Sequence, residues 1–427
     1  MRQRPAVPRP ARAPLRALAL LCALPAFPAL APAQGQTPDQ AARRRLLVDE
    51  HLVQRNVRLL SIGPAELRVQ DENGRTLTIS RSQALAILPV LGDVAAPASA
   101  ARRRDDLGWL LLVDGQFFPG SPTPPDAAFE PDHLPWLSSL LGGIPAPMES
   151  ISTAVLFPKA VKAAPVPAAA DRLYLANVDV LEGFAATRLD QQGQVVFDVD
   201  VSGKQRTLRV ARVAAMALAN DHAAPEGTWV WFADGTVART DGLTLSAEGA
   251  LQARTNLPGA LNPAPITAEA SSITAISFDR ARLKTLAQLP VVSYAPLDGR
   301  RWSARPQVED VDAAPCGAAA VHLPGPMTVS WNLPGGARKL SGRAQLPPDC
   351  RVWGDCEFSL EVSAAGQTRP LWKTRLTAQD PETAFEFDLP RDLPQGPRML
   401  SAVLREGEGG PIQDRVTLRR VLILCDR

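Results

Sequence analysis

The chain carries 41 prolines in 427 residues, near twice the ~5% usual for globular proteins. Proline has no backbone N–H to donate and its ring clashes with the preceding helical turn. Long helices therefore have little room, and short strands joined by ordered loops are what remains. The sequence predicts an all-β protein with few, short helices.

Alternation of apolar and polar residues agrees. Leu67 and Val69 alternate with polar neighbours, Asn73-Gly74 carries a type I′ turn signal, and Leu77 and Ile79 resume the alternation. Gln192-Gly193 and Ser202-Gly203 repeat that logic around a strand with Val195, Phe197, Val199 and Val201 on one face. One helix is predicted after an N-capping Thr37 and Pro38, with Leu46, Leu47 and Leu52 as a partial apolar face. A second, short one is predicted over 280–289.

A weak internal repeat runs through the first two thirds. Segments 82–88 (SQALAIL), 151–157 (ISTAVLF), 212–218 (RVAAMAL) and 272–278 (SITAISF) share a closing apolar strand, and Ala154, Ala215 and Ala275 hold one offset. Asp114-Gly115 and Asp234-Gly235 mark matching turns. Two β-rich meander or barrel-like modules are expected, at 40–165 and 170–288, with the Pro/Ala stretch 158–170 as linker.

Residues 1–33 read as a secretory signal peptide. Arg2, Arg4, Arg9, Arg12 and Arg16 form the basic start, Ala17 to Leu30 the apolar run, and Ala31-Pro32-Ala33 the cleavage site. The run is too short to span a membrane, and Pro25 and Pro28 break it. The expected location is therefore periplasmic, cell-surface or extracellular. Removing five of the 46 basic residues leaves 41 against 44 acidic ones. No basic field remains that would point to nucleic acid, and Arg102-Arg103-Arg104 reads as a solvated linker.

After the signal, the cysteines are Cys316, Cys350, Cys356 and Cys425, all in the last stretch. Four cysteines permit three pairings, and in an exported chain disulfides are expected. Cys350–Cys356 would close the short turn CRVWGDC, and Cys316–Cys425 would join the first and last strands of the final domain. That pair of bonds is the preferred arrangement. Zinc is a poor reading, because Cys350 and Cys356 lack nearby histidines.

Catalytic motifs are missing from the sequence. His51, His133, His222 and His322 have no partner at metal-ligand spacing, and neither a Gly-x-Ser-x-Gly elbow nor a P-loop occurs. The segment from Asp198 to Gly203 imitates the start of a calcium loop, but the twelfth position is Arg209 rather than Glu. A polar hairpin turn explains it better. The sequence points to no metal, no cofactor and no catalytic residue.

Residues 290–427 resemble the NPCBM/NEW2 family, a module described beside glycoside hydrolases. The likeness is carried by LPVVSYAPLDGRRW (289–302), VSWNLPGGARKLSGRAQL (329–346), CEFSLEVSAAGQTRPLWKTRL (356–376), FEFDLP (385–390) and the closing Gly410 with Asp414-Arg415. Where the family often has Trp four residues after that Asp, this chain has Leu418, and the CRVWGDC turn looks like an addition. The resemblance implies a galactose-binding-like jelly-roll β-sandwich. The alternation of Phe358, Leu360 and Val362, and of Phe385, Phe387 and Leu389, fits a sandwich independently.

The resemblance further implies carbohydrate binding, to a polysaccharide or surface glycan. Sugar sites combine aromatic faces with polar side chains, which makes Trp353, Trp372, Asp414 and Arg415 the candidates. Against that reading, Trp331 and Trp372 also read as core and Asp414 as a residue that orders its own loop, while Trp229 and Trp231 form either a binding stripe or core or inter-domain packing, the packing being favoured. The expected function is an exported, non-catalytic glycan binder. An envelope scaffold contacting proteins, and a glycan-processing enzyme with its site upstream, are the alternatives.

Overall fold

The structure, a computed structural model, describes residues 44–426 except 91–106, 126–128, 162–164, 167, 258–263, 298, 313, 395 and 411. The signal segment 1–33, the start of the predicted first helix and the Arg102–Arg104 cluster lie outside the described residues. Among the described residues the helical segments are three-residue 3₁₀ turns, and everything else regular is strand.

Four units of one design follow each other. The first is β1 (Arg44–Asp49), β2 (Gln54–Ile62), β3 (Glu66–Gln70), β4 (Thr76–Ser80), a 3₁₀ turn at Arg81–Gln83, and β5 (Ala84–Pro89). The second is β6 (Gly108–Leu112), β7 (Phe117–Pro122), β8 (His133–Ser138), β9 (Gly142–Pro147), a turn at Met148–Ser150, and β10 (Ile151–Val155). The third is β11 (Asp171–Leu175), β12 (Val180–Leu189), β13 (Val195–Val201), β14 (Lys204–Arg209), a turn at Val210–Arg212, and β15 (Val213–Ala217). The fourth is β16 (Thr228–Phe232), β17 (Val237–Leu245), β18 (Ala250–Thr255), β19 (Ala264–Glu269), a turn at Ala270–Ser272, and β20 (Ile273–Ser277).

In every unit four strands form an antiparallel meander, and the fifth returns beside the first: β1–β5, β6–β10, β11–β15 and β16–β20. This is the strand order of SH3-like small barrels. The four similar sequence tails are these fifth strands, each entered from its 3₁₀ turn. Asp114-Gly115 and Asp234-Gly235 occupy the first hairpin of units two and four.

The fifth strands also join units. β10 pairs β15, and β5 pairs β20. Unit one therefore abuts unit four, and unit two abuts unit three. Hydrogen bonding thus crosses the 158–170 stretch expected to separate two modules, and all twenty strands form one connected sheet system.

Two local expectations need correction. Arg44–Asp49 is strand β1, where a helix was predicted. Leu46 and Val48 pack into one core cluster and Leu47 into another, so the strand is buried on both faces. Such a strand reads as a continuous apolar run, which periodicity alone cannot tell from a helix. The stretch 280–289 holds a short strand, β21 (Leu283–Thr285), and a 3₁₀ turn at Leu286–Gln288. A reciprocal Thr285/Gln288 capping box closes that turn.

The turns are more varied than expected. At Asn73-Gly74 only Gly74 has positive φ, +79°, and the Asp71 carboxylate accepts the Asn73 and Arg75 N–H groups at 2.9 and 2.8 Å. This is a three-residue loop ending in a left-handed glycine, not a type I′ turn. Ser202-Gly203 has φ of +55° and +79° and is the type I′ case. There Asp200 accepts the Gly203 N–H at 2.7 Å, while Asp198 pairs with Arg188 and Thr207. The calcium-loop mimic is thus built as a polar hairpin.

The C-terminal part is a β-sandwich. One sheet orders β22 (Val291–Pro296), β25 (Met327–Asn332), β30 (Arg398–Glu406), β27 (Cys356–Ala364) and β28 (Gln367–Leu376). The other orders β23 (Gln307–Val308), β24 (Val321–Leu323), β31 (Val416–Cys425), β26 (Ala337–Gln345) and β29 (Glu382–Asp388), with β21 also on β31. Between them lies a core with Trp331, Phe358, Leu360, Val362, Leu340, Phe385 and Ile423. Burial alternates strictly along β27, as the Phe358, Leu360, Val362 pattern requires.

β31 is the hinge of the architecture. Opposite β26 its register slips between Arg419 and Leu422, and Arg420 sits there at φ +48°. This bulge inserts one residue and inverts the parity of the strand. Before it Val416 and Leu418 face the sandwich core; after it Val421, Ile423 and Cys425 do. Leu422 and Leu424 then face outward into a second core with Leu46, Val48, Leu85, Trp229 and Trp231. The upstream array is thereby packed against the sandwich. Trp229 and Trp231, 0% and 5% exposed, belong to that contact. Arg420 donates to the Pro89 carbonyl at 2.5 Å, and Gln54 donates to Ser341 at 3.2 Å.

Among the described residues the cysteines, Cys316, Cys350, Cys356 and Cys425, are buried free thiols. Cys316 packs on the outer core with Leu422 and Leu424, whereas Cys425 faces the sandwich interior. The two thus lie on opposite sides of one sheet. A Cys316–Cys425 bond needs Cβ atoms that point at each other, so the fold does not present that expected pairing. Cys350 and Cys356 are both fully buried and close enough to influence each other. Burial foremost, then Asp414, Asp355 and Cys350, pushes the Cys356 thiol up to about 12.

Candidate functional site

Strand ends place several connections at one end of the sandwich: 297–306, 324–326, 346–355 and 407–415. They touch one another. A Cβ on Gly325 would lie 3.1 Å from Arg300 Nη1 and 3.9 Å from the Asp414 carbonyl. A Cβ on Gly354 would lie 2.6 Å from the Cys350 carbonyl and 3.2 Å from that of Gln413. Glycine at 354 lets the turn close, with its N–H donating to Cys350 O at 2.8 Å.

Behind that turn stands a charged frame. Arg375 clasps Asp355 through Nε and Nη2, both at 2.7 Å, and reaches Glu408 with Nη1 at 3.0 Å. The Glu408 N–H donates to Asp355 at 3.1 Å, and the Gly407 N–H to the Asp355 carbonyl at 2.8 Å. The Arg375 hydrogen bonds hold the Asp355 carboxyl below its ordinary range. Fork-shaped pairs of this kind fix geometry as well as charge.

The expected site residues separate within this frame. Trp353 is 68% exposed, carried outward by the Pro348–Cys350 turn that buries Cys350. Arg415 is partly exposed and pairs with Asp349 at 3.2 Å. Asp414, by contrast, is 2% exposed and accepts the Asp355 N–H at 3.4 Å. Burial pushes its carboxyl up to about 6; the Asp355 N–H and Arg300 oppose this, while the Asp355 and Glu406 charges add to it. Asp414 orders its loops from inside and has no face for a ligand. Trp372 is likewise turned to packing, with ring centroids 6.0 Å from Phe358 and 5.1 Å from Phe385. Of the four expected residues, Trp353 and Arg415 are thus exposed, Trp372 is half-buried and Asp414 is buried.

Sequence reasoning missed Trp302. It is 76% exposed and borders a hollow of about 520 Å³ with Arg300, Arg301, Pro324, Gly325 and Pro326. One signal was legible: Trp302 ends LDGRRW, an Asp-Gly turn signal followed by two arginines and no alternating strand. Together this end offers two indole faces, the Arg300 and Arg415 guanidinium groups and the Asp349 carboxylate. Such a set can stack against ring C–H surfaces and exchange hydrogen bonds with hydroxyl groups.

No protein-family model matches the chain. No curated protein matches it. Solved structures similar to it include carbohydrate-binding modules. A CBM51 from Clostridium perfringens GH95, in complex with methyl-galactose, is 11% identical with a TM-score of 0.25, covering 33% of this chain and 99% of that one. The CBM51-2 and INT domains of Clostridium perfringens ZmpB are 8% identical with a TM-score of 0.27, covering 44% of this chain and 38% of that one. This chain thus spans about 38% of that neighbour's length. CsCBM6-3 from Clostridium stercorarium, in complex with cellobiose, is 10% identical with a TM-score of 0.21, covering 35% of this chain and 95% of that one.

Proposed function

We propose that this protein binds carbohydrate, a polysaccharide or surface glycan, through the loop end of its C-terminal sandwich, and that this sandwich is an NPCBM/NEW2-type module. The observation that carries the reading is the exposure of Trp302 and Trp353, 76% and 68%, at one end of a domain that buries Trp331. Leaving an indole in water forgoes roughly 2–3 kcal/mol of burial each, so two of them on glycine- and proline-shaped loops call for a ligand. Trp302 and Trp353 supply the stacking faces. Arg300, Arg415 and Asp349 supply donors and acceptors, and the Asp355–Arg375–Glu408 frame with Asp414 holds the loops. The upstream array acts as a scaffold, and the protein is exported by way of residues 1–33 without catalytic activity of its own.

The test is a glycan panel probed with the chain lacking residues 1–33, beside Trp302→Ala and Trp353→Ala. Native binding that falls at least tenfold in either variant, with melting temperature unchanged, supports the reading. Absence of binding by folded native protein overturns it. Cell fractionation tests export, and recovery of the chain in the cytoplasmic fraction with residues 1–33 intact would contradict it.

A further inference from the structure

A second cavity, of about 660 Å³, opens between the array and the segment leading into the sandwich, a size typical of small-ligand sites. Its walls come from distant parts of the chain. Unit two supplies Trp109 and the Asp114-Gly115 turn, unit four supplies Trp231, Arg280 comes from the lead-in to the sandwich, and Asp312 and Gly317 come from the β23–β24 connection of the sandwich itself.

Arg280 is the feature that needs explaining. Its guanidinium lies over Trp229 at 4.2 Å and near Trp231 at 5.7 Å. Five N–H donors radiate from that plane, yet none meets an acceptor among the described residues. Nη1 is sealed from solvent without a partner, close to Gly115. The rest of the group borders the cavity and is partly exposed to it. Sealing Nη1 from solvent without a partner is costly. Burial accordingly lowers its pKa, while Cys316, Asp114 and Asp312 partly offset the effect.

Asp114 is 2% exposed and engaged. Its carboxylate accepts from the Gln116 side chain at 3.0 Å and lies 3.7 Å from Arg239. Asp312 is exposed at the cavity rim, and Asp310 lines the same wall. These carboxylates disfavour an anionic guest, because they offset the single positive charge of Arg280. Hydroxyl groups suit both kinds of wall, accepting from the guanidinium and donating to carboxylates. The half-buried Trp109 presents an aromatic surface beside them.

We propose that this cavity is a second binding site, distinct from the sandwich loops, which takes a neutral saccharide unit of one or two rings. The sugar's oxygens complete the hydrogen bonding of Arg280, its hydroxyls donate to Asp312, and a ring face lies on Trp109. The site joins array to sandwich, so its occupancy ties the two together. It stands independently of the loop-end reading.

The experiment uses the Trp302→Ala/Trp353→Ala protein, so that the loop end does not contribute. Methyl glycosides of glucose, galactose and mannose, and cellobiose, are titrated against it, followed by indole fluorescence and saturation-transfer NMR. Glucuronate serves as the anionic comparison. The expected result is saccharide-dependent signal that falls at least tenfold in Arg280→Met, which keeps the stem on the indoles, and recovers in part with Arg280→Lys. Because Asp312 is exposed, Asp312→Asn provides a variant that folds regardless, and its affinity should drop severalfold. No signal with any neutral glycoside, equal binding by Asp312→Asn and Arg280→Met, or preference for glucuronate would each overturn the proposal. Loss of native glycan-panel binding together with retained cavity binding would instead count against the loop-end reading alone.

Discussion

Asp414 illustrates how a residue chosen for chemistry can serve architecture. Its carboxyl is raised to about 6 mainly by burial, against ~3.9 in the unfolded chain. The folded state therefore holds the proton more tightly, and stability falls as pH rises from about 4 through about 6. Asp414→Asn, which cannot ionise, should escape this loss. Relative to the native protein it should gain roughly 2–3 kcal/mol between pH 4 and pH 8, measured by denaturant unfolding at both pH values. A constant difference would mean that Asp414 does not titrate in that window. The cysteines give a second prediction at this scale. In exported protein, mass spectrometry of non-reduced peptides should find Cys350 linked to Cys356, with Cys316 and Cys425 alkylated as thiols. A Cys316–Cys425 peptide would contradict the sidedness of β31.

At the level of elements, the bulge at Arg420 does what no single contact does. One extra residue turns Val421, Ile423 and Cys425 toward the sandwich and Leu422 and Leu424 toward the array. Arg420 adopts φ +48°, a region where glycine is at ease. Arg420→Gly should keep the bulge and lose only the tie to Pro89, costing about 1–2 kcal/mol with an unchanged far-UV spectrum. Deleting Arg420 should instead expose one apolar set whichever way the strand turns, and yield aggregated protein. Equal stability of the two variants would refute the parity argument. Turns show the limit of local signals. Asn73-Gly74 satisfied the hairpin rule yet formed a different loop, in which the Asp71 carboxylate accepts the Asn73 and Arg75 N–H groups.

For the whole molecule, the sandwich does not end at its own sequence boundary. β21, at Leu283–Thr285, pairs with β31, and Leu422 and Leu424 rely on the array for cover. Residues 290–427 alone lose that strand and expose that face. They should melt at least 10 °C below the chain starting at residue 38, or associate, as read by calorimetry and size-exclusion chromatography. A monomer of equal melting temperature would show the sandwich to be autonomous. The pairing of β5 with β20 and of β10 with β15 binds the array in the same non-local way, closing it through strands far apart in sequence.

Period-two alternation, turn residues and the scarcity of helix-compatible stretches made the all-β class, the hairpins and the repeat tails legible in the sequence, because those are properties of neighbouring residues. Trp353 was legible too, since a Trp within a short Cys-bounded turn has few ways to be buried. What only the tertiary structure decided was which partner each strand took and which face each residue turned. That is why β1 was mistaken for a helix, why Asp414 and Trp372 turned to packing, and why Arg280 came to lie over Trp229 and near Trp231. Burial from both sides erases alternation, and contacts across more than a hundred residues leave no local trace, so these outcomes required the assembled fold.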